Sequence, residues 1–517
     1  MTRHGSGRPR PHHRRGNGIR FLLAATLAAI AVLAGACSRS EESRRTSTTT
    51  TTERPPASTR PTLPPAGDQG GDAPLPVAWV TQVGGPGADT LAGAAGRNDA
   101  VVAVGSTQGI TPPTSLRTEA LVAVLDAASG ALRSTTQQGS DRAVTARAVA
   151  SATTTGLTLT CGATDGSLSV PNAGAGDAWC APITPTGAID PAAQSGGEAD
   201  DGLDAVAITD DGAHGYAAGT SSSLFPGAQD PTGGYLGGGD ALVVRLDQGG
   251  RLQWARQFGT SGADSADGVA TTDDGDAIVT GTTDGSTDSE SLGGTDGWIS
   301  RMDPYGNQRW LTQFGTAAAD RARSVAVGGD PRRGTETFVA VGSTEGDAGG
   351  RASGGTDAMI GAFDASGKQA WLAQLGSTGA DSATGVVVDG STVYVAGTAA
   401  APVTGAERIP LTPAPADDNS ATTAPPTAPP TTTPGPTGRD GFLAALDAST
   451  GEVRWVAQFG SAGNEDVTGL TRTETGLLVV SGTTDGQVGA TPSAGVTDGF
   501  LVAFRLPAAG GGAASVV

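Results

Sequence analysis

The sequence contains few of the side chains that most often carry out chemistry. Its 517 residues include four histidines, three cysteines and a single lysine, Lys368. Three of the histidines precede residue 14, which leaves His214 as the one histidine of the remaining chain. A Ser–His–Asp triad needs a positioned histidine, and a zinc site needs clustered cysteine and histidine ligands. We therefore expect no metal site and no catalytic residue of these kinds.

Basic and aromatic residues are scarce as well. Lys and Arg total 32 against 52 Asp and Glu, the net charge is −20, and aromatic residues make up 4 % of the chain. No basic patch stands out, so a nucleic-acid partner is not expected. Glycine is abundant instead, with 81 residues, and proline contributes 32. Without a sustained helical period of apolar residues, this composition indicates disorder or an all-β fold with many tight turns.

The N-terminus has the pattern of an export signal. A basic stretch ends at Arg20, and an apolar run occupies residues 21–36. That run is short for a membrane span, which needs about 20 residues; an uncleaved anchor helix is the alternative. Residues 33–36, directly before Cys37, resemble the lipobox of bacterial lipoproteins. The resemblance implies a signal peptide over residues 1–36, a lipid on Cys37, and a location at the outer face of the cell membrane.

Residues 37–75 are rich in Ser, Thr and Pro and offer almost nothing apolar to bury. Such a segment cannot offset the entropy lost on ordering, so we predict a disordered linker. Whether its threonines carry sugar stays open.

Seven copies of one repeat follow the linker. Each carries Gln-x-Gly at the same offset, and in six copies an acidic residue follows that glycine by five positions. The fourth copy predicts four strands, at residues 269–272, 277–283, 297–302 and 308–314, joined by turns rich in Asp and Gly. The copies begin at Trp79, Ser134, Pro191, Trp254, Trp310, Trp371 and Trp455.

Four strands in each of seven repeats predict an all-β, seven-bladed β-propeller. We place it at residues 76–508, with a Thr/Pro-rich insertion at about 401–438 and a disordered tail at 509–517. The strand Val77–Val83 precedes the first full blade, and the last copy stops after three strands. We therefore expect Val77–Val83 to close the ring as the outer strand of the seventh blade.

The pattern W-x-x-Q-F-G-x-x-x-x-D, followed by V-x-G-T-T and D-G-F/W, resembles the SBBP family of bacterial seven-bladed propeller repeats. The resemblance runs from Trp79 to about Leu506 and is strongest from Trp254 onward. Residues 446–455 also resemble the strand signature of quinoprotein-type propellers, although the adjacent cysteines of that family are missing. Both resemblances imply fold more firmly than function.

Features that recur in all copies are interpreted as structural. The Gln-x-Gly motif and the following acid are predicted to fix the turn between blades: the glycine supplies a positive φ, and the acid accepts hydrogen bonds from loop amides. The tryptophans are predicted to pack between blades. Cys161 and Cys180 end neighbouring strands of the second blade, which predicts a disulfide in an exported protein. Two buried free thiols are the alternative.

The loops between the second and third strands differ in every copy and share a face with the loops that link blades. One of them carries Asp284, Asp288 and Glu290, which indicates an acidic recognition surface, with unconstrained drift as the alternative. We expect a monomeric, non-catalytic module without a cofactor that binds a protein or glycan, at residues still unknown. The alternative is an extracytoplasmic enzyme that uses carboxylates at the channel mouth or a quinoprotein-like cofactor site.

Overall fold

The computed structural model describes residues 73–109, 117–229, 235–287, 291–329, 334–349, 353–411, 438–489, 493 and 495–507. All regular elements in these ranges are strands. Among the described residues no helix is long and apolar enough to cross a membrane. The predicted signal peptide, Cys37, almost all of the linker, the acidic residues Asp288 and Glu290, and residues 412–437 of the insertion lie outside these ranges.

Thirty strands form seven sheets, which we call blades 1 to 7 in chain order. After β1 (Val77–Val83), blade 1 comprises β2 (Asp89–Arg97), β3 (Ala100–Thr107), β4 (Glu119–Asp126) and β5 (Leu132–Gln138). Blade 2 comprises β6 (Val144–Ser151), β7 (Thr158–Thr164), β8 (Asp177–Pro182) and β9 (Ala193–Ser195). Blade 3 comprises β10 (Asp201–Ile208), β11 (Gly215–Ser221), β12 (Ala228–Gln229), β13 (Asp240–Leu246) and β14 (Leu252–Phe258).

The remaining blades follow the same order. Blade 4 comprises β15 (Asp264–Thr271), β16 (Ala277–Thr283), β17 (Asp296–Met302) and β18 (Gln308–Phe314). Blade 5 comprises β19 (Asp320–Gly328), β20 (Thr337–Thr344), β21 (Asp357–Asp364) and β22 (Gln369–Leu375). Blade 6 comprises β23 (Asp381–Asp389), β24 (Thr392–Ala399), β25 (Glu407–Arg408), β26 (Asp440–Asp447) and β27 (Val453–Phe459), and blade 7 comprises β28 (Glu465–Arg472), β29 (Leu477–Thr484), β30 (Asp498–Arg505) and β1.

The ring closes through the N-terminal strand, as the sequence predicts. Strand β1 pairs antiparallel with β30, from Val77 opposite Phe504 to Val83 opposite Gly499. Both Trp79 and Val83 are buried there. The fold is therefore the predicted all-β, seven-bladed propeller, whose two chain ends are joined in one sheet.

The packing explains why the second and third strands read as continuous apolar runs. Strand β17 is buried along its whole length because blades 3 and 5 cover both faces of its sheet. In the innermost strands buried and half-buried residues alternate, as in β15. The innermost strands contact the neighbouring blades on both sides and line the central channel, so their unrepeated polar residues lie around the ring axis.

The predicted strands of the fourth copy are nearly right, with one exception. The second to fourth strands match to within one residue, but the first starts at Asp264 rather than at residue 269. A bulge near its start interrupts the alternation that sequence reasoning relies on. Blades 3 and 6 also differ from the four-stranded prediction, since β12 and β25 add to their outer edges in parallel.

Candidate functional site

The repeated residues form one polar layer at each seam between blades. In six copies the glutamine amide donates to a buried aspartate at the start of the third strand, as in Gln374 Nε2 to Asp357 Oδ2 at 2.7 Å. The same glutamine accepts from a loop amide, Ala348 N, at 2.8 Å. The six pairs are Gln82–Asp498, Gln194–Asp177, Gln257–Asp240, Gln313–Asp296, Gln374–Asp357 and Gln458–Asp440.

A second carboxylate from the next blade completes this layer. Asp381 accepts from Ser377 N at 2.5 Å, and its own backbone N–H donates to Thr356 O of the preceding blade at 2.7 Å. The acid thus binds loop amides as predicted. The loops that link blades and the loops that precede the third strands lie on the same face of the ring, which we call the loop face. Burial, together with repulsion from the first carboxylate, raises the pKa of four of these acids: Asp201, Asp320, Asp381 and Glu465.

The repeated glycine has a different reason from the one predicted. Among the seven, a positive φ is found only at Gly315. A side chain at Gly376 would instead place its Cβ 2.0 Å from Asp357 Oδ1, and one at Gly460 would lie 2.2 Å from Asp440 Oδ1. Glycine is required because the backbone passes in contact with the buried carboxylates. The repeated motif is structural, as predicted, but through close approach rather than through φ.

The tryptophans connect neighbouring blades. Trp371 Nε1 donates to Ala448 O of the next blade at 3.0 Å, and Trp79, Trp254 and Trp310 make equivalent bonds. The ring of Trp371 lies against Gly451, where a Cβ would be 2.6 Å from the indole. The repeated residues thus all make contacts that hold neighbouring blades together: the glutamine, the glycine, the acid and the tryptophan. The unrepeated residues are therefore the candidates for function.

A ring of seven unrepeated residues lines the central channel. Every innermost strand has a register shift after its third residue, and the residue at that bulge lines the channel. Bulges redirect a side chain, and they are common beside active sites. We call these residues the bulge ring; in blade order they are Ala92, Arg147, Asp204, Asp267, Arg323, Thr384 and Thr468.

The charged half of the bulge ring spans blades 2 to 5. Arg147 forms an ion pair with Asp204, with Nη1 and Oδ1 2.9 Å apart. Asp267 has no such partner among the described residues; its Oδ2 accepts from Ser265 Oγ at 2.8 Å and from Thr282 Oγ1 at 3.3 Å. Burial, with a contribution from the charge of Asp204, raises the pKa of Asp267 to about 6. The charge of Arg323 lowers the pKa of Asp267, but by less than burial raises it.

The uncharged half of the ring is turned toward the backbone. Thr384 Oγ1 donates to Val467 O at 2.9 Å, and Thr468 Oγ1 donates to Leu91 O at 2.8 Å. On the side of the loop face, a cavity of about 530 Å³ is lined by the bulge-ring acids, Arg321, Arg323 and the two threonines. On the other side a cavity of about 570 Å³ continues along the innermost strands. The bulge ring therefore divides the channel and presents charges of both signs to anything that enters from the loop face.

Sequence reasoning missed this ring. The sequence alone assigns no residue numbers to acids at the channel mouth, whereas the structure brings Asp204 and Asp267 onto neighbouring innermost strands around the axis. A signal exists: the third residue after the repeated acid, or after Val144 which replaces it in blade 2, lies at the bulge in every copy, but the type of side chain differs between copies. A column that varies inside a repeated strand is evidence that the repeat does not need it.

The predicted cysteine pair lies where the two strands of blade 2 meet. Cys161 of β7 is directly opposite Cys180 of β8, with Cα atoms 4.1 Å apart and the sulfurs joined. Both side chains are buried in the apolar layer between blades 2 and 3. Formation of this disulfide in the cell stays a prediction.

His214 lies in a turn, as the sequence suggested, but is half-buried rather than on the surface. Arg245 Nη2 approaches its Nδ1 at 2.8 Å, so that nitrogen acts as an acceptor in a neutral ring. Burial, and then the charge of Arg245, lower the pKa of His214. Over the described ranges no three His, Cys, Asp or Glu side chains are grouped to hold a metal ion.

Comparison with known proteins gives limited likenesses. No family model matches the chain. A regulatory protein of Caulobacter vibrioides, FlaEY, is 27 % identical over 199 residues, covering 35 % of this chain. The match spans only 20 % of the length of FlaEY.

Solved structures resemble the chain at low identity. They include BamB from Moraxella catarrhalis (11 % identity, TM-score 0.35, covering 83 % of this chain and 89 % of that one). Sqt1 from Chaetomium thermophilum (11 %, 0.42, 84 % and 100 %) and the periplasmic gluconolactonase PpgL from Pseudomonas aeruginosa (13 %, 0.41, 78 % and 100 %) are similar to the same extent. At these scores the likenesses carry no argument about function.

Proposed function

We propose that the chain is a non-catalytic binding module, held outside the cell membrane by a lipid on Cys37, that captures its partner at the loop face around the mouth of the channel. The observation that supports this most is that repeated and unrepeated polar side chains occupy different places in the ring. The repeated polar residues are used up in seam contacts, whereas the unrepeated charges face the channel from the bulge ring.

The composition of the described chain supports binding rather than catalysis. The one described histidine, His214, is neutral and engaged by Arg245. Exposed apolar side chains are present on the loop face, with Leu224 58 % and Val496 71 % exposed. Both precede third strands, in blades 3 and 7. Exposed apolar residues on the same face as a polar channel mouth are typical of a surface that binds another molecule.

A photo-crosslinking residue at Val496 tests the loop face in the native envelope. Tyr305 is the matched control: it is 76 % exposed but lies in the turn between β17 and β18, at the opposite end of the blades. We expect a discrete crosslinked product from position 496 and none from position 305. Equal products from both positions, or none from either, would overturn the proposal.

The lipid anchor has its own test. Cys37→Ala expressed in the native host should be released or should accumulate as an uncut precursor, measured by membrane fractionation and by the mass of the N-terminal peptide. Processing and retention like those of the wild type would contradict the anchor.

One observation favours the enzyme alternative. Asp204 and Asp267 lie on neighbouring blades, and a carboxyl group with a pKa raised to about 6 is suited to general acid catalysis. Glycosidase and esterase assays on the purified protein decide the matter. Turnover that is lost in both Asp267→Asn and Asp204→Asn would replace the binding proposal with this one.

A further inference from the structure

The charges of the bulge ring are unevenly paired. Arg147 and Asp204 already neutralise each other at 2.9 Å. Asp267, which lines the cavity, is held through Oδ2 by two hydroxyl groups, and its Oδ1 has no cationic partner among the described residues. Burial and the charge of Asp204 both destabilise the charged form of Asp267, so a cation bound between the two carboxylates would stabilise it strongly.

Arg323, on the next blade, is a positive charge that lacks an anionic partner among the described residues. Its side chain is exposed in the cavity and makes no hydrogen bond or ion pair within the described part of the chain. A guanidinium has five donors in a planar fork that matches a carboxylate. Arg321, on the same strand, borders the same cavity and adds to the positive charge there.

The order of these groups around the axis defines the ligand. Two acids of blades 3 and 4 are followed by the arginines of blade 5, so a negative and a positive subsite lie side by side. An anion alone would be repelled by the acids, and a cation alone by the arginines. A ligand with both charges on neighbouring atoms satisfies both subsites, and a cavity of about 530 Å³ has room for a small molecule of this kind.

We propose that the channel binds a free α-amino acid, with its ammonium group between Asp204 and Asp267 and its carboxylate on Arg323. The ammonium supplies three donors for the free oxygens of the two acids, and the carboxylate accepts from the guanidinium. The side chain of the ligand extends toward Thr384, Val467 and Thr468. This inference deepens the proposed function, because it assigns a ligand class to the mouth of the same channel.

Isothermal titration of the detergent-solubilised full-length protein at low ionic strength tests it. The probes are glycine, L-alanine, L-leucine and L-phenylalanine, with propionate and propylamine as the two halves of alanine. We expect at least one amino acid to bind more tightly than either half molecule. Propionate or propylamine binding as well as alanine would overturn the zwitterion assignment, and so would a lack of binding by all four amino acids.

Matched variants locate the site. Asp267→Asn and Arg323→Gln keep the size of the side chain and should weaken binding by about tenfold or more. Asp210→Asn and Arg472→Gln make the same charge changes at the far end of the channel and should stay within about twofold of the wild type. Equal affinity in all four variants would refute the site. Thermal unfolding of each variant confirms its fold, and Arg323, being exposed, carries little folding risk.

The pH dependence gives an independent readout. The ionisable groups around Asp267 are Asp204 of β10, Arg147 of β6, and Arg321 and Arg323 of β19. Protonation of Asp267 at pH 5 removes the charge that attracts the ammonium, so affinity should fall between pH 7.5 and 5, and this fall should vanish in Asp267→Asn. A pH-independent affinity would contradict the proposal. Amino-acid binding without a crosslink at Val496 would contradict only the loop-face partner. A crosslink at Val496 without amino-acid binding would contradict only the amino-acid site.

Discussion

Two seams of the ring, between blades 5 and 6 and between blades 1 and 2, occupy equivalent positions but are built from different residues. The first contains the full set: Asp357 bound by Gln374, Asp381 from the next blade, and Trp371 bonded to Ala448 O. The second has Val144 where the next acid would be and Ser134 where the tryptophan would be.

Other contacts replace the missing ones at the second seam. Ser134 Oγ donates to Thr186 O at 2.9 Å, and the buried Arg97 donates to the carbonyls of Thr184 and Pro185 at 3.1 and 3.0 Å. A charged layer is therefore one way to join blades and not a requirement of the fold. The two seams should differ in how they respond to substitution and to pH.

Removing the closing strand should have the largest effect. Deletion of residues 75–84 takes away the pairing of β1 with β30, the buried Leu75, Val77, Trp79 and Val83, and the Gln82–Asp498 contact. Burial of each large apolar side chain is worth about 1.5–3 kcal/mol, and an open sheet edge promotes aggregation. We expect the midpoint of thermal unfolding to fall by more than about 10 °C, measured by calorimetry. A chain that begins at residue 73 and keeps this strand is the control, and an unchanged midpoint after deletion of residues 75–84 would contradict the role of β1 in closing the ring.

Alanine at the seam glycines distinguishes the two seams. At Gly376 a Cβ would meet Asp357 Oδ1 at 2.0 Å, whereas at Gly139 it would meet the end of the longer Glu119 side chain at 2.9 Å. We expect Gly376→Ala to lower the free energy of unfolding by about 2–4 kcal/mol and Gly139→Ala by less than about 1 kcal/mol, measured by urea denaturation. Gly355→Ala, with nothing within 4 Å of the new Cβ, is the control. Equal losses at positions 376 and 139 would mean that the seams are alike.

The architecture could be predicted because it is encoded in repetition. The recurring strands and turns predict seven blades, and an unpaired first strand with an incomplete last copy predicts that β1 closes the ring. The role of Gly376 could not be derived in the same way, since both close approach and a positive φ call for glycine, and only coordinates distinguish them. Short edge strands such as β12 and β25 have two residues each and leave no pattern to detect.

The candidate site was harder to predict because it depends on what fails to repeat. Asp264 and Asp267 lie three residues apart on one strand, yet the first is bound by Thr260 at the seam and the second faces the channel. Residues three apart on a strand point to opposite faces, and the bulge at Asp267 has no sequence signature of its own. Comparing equivalent positions across the copies would have singled out Asp267, whereas the composition of a single strand would not.

The cysteine pair is the next test, since it lies in the blade with the fewest repeat residues. Its strands are already adjacent, so we expect a bond between Cys161 and Cys180 that closes a loop of 19 residues and adds about 3 kcal/mol to the free energy of unfolding. Urea denaturation with and without reductant measures this, with the double change to serine as the control. Unfolding without reductant should release no thiol from the pair, and two reactive equivalents would show that the bond is absent.

The smallest effect is a dependence of stability on pH that the two seams should not share. Burial raises the pKa of Asp381 and Glu465 above their ordinary values of about 4. The folded state therefore holds these protons more tightly than the unfolded state, and stability falls as the pH rises from about 4 through the folded pKa values. Acids such as Asp126, whose pKa arginine and serine contacts lower to about 2, act in the opposite sense only below pH 4. The unfolding midpoint should thus be a few degrees higher close to pH 4 than at pH 8.

Hydrogen exchange, corrected for its intrinsic pH dependence, assigns this effect to individual seams. Protection of β21 and β23 should increase as the pH is lowered from 8 toward 4, because protonation relieves the repulsion between Asp357 and Asp381. Protection of β4 and β6 should not change, since the seam between blades 1 and 2 has Val144 in place of the second acid. Asp381→Asn, which keeps the size and removes the charge, should abolish the gain at its own seam only. A uniform gain over both seams would show that the pH dependence arises from overall charge and not from the paired carboxylates.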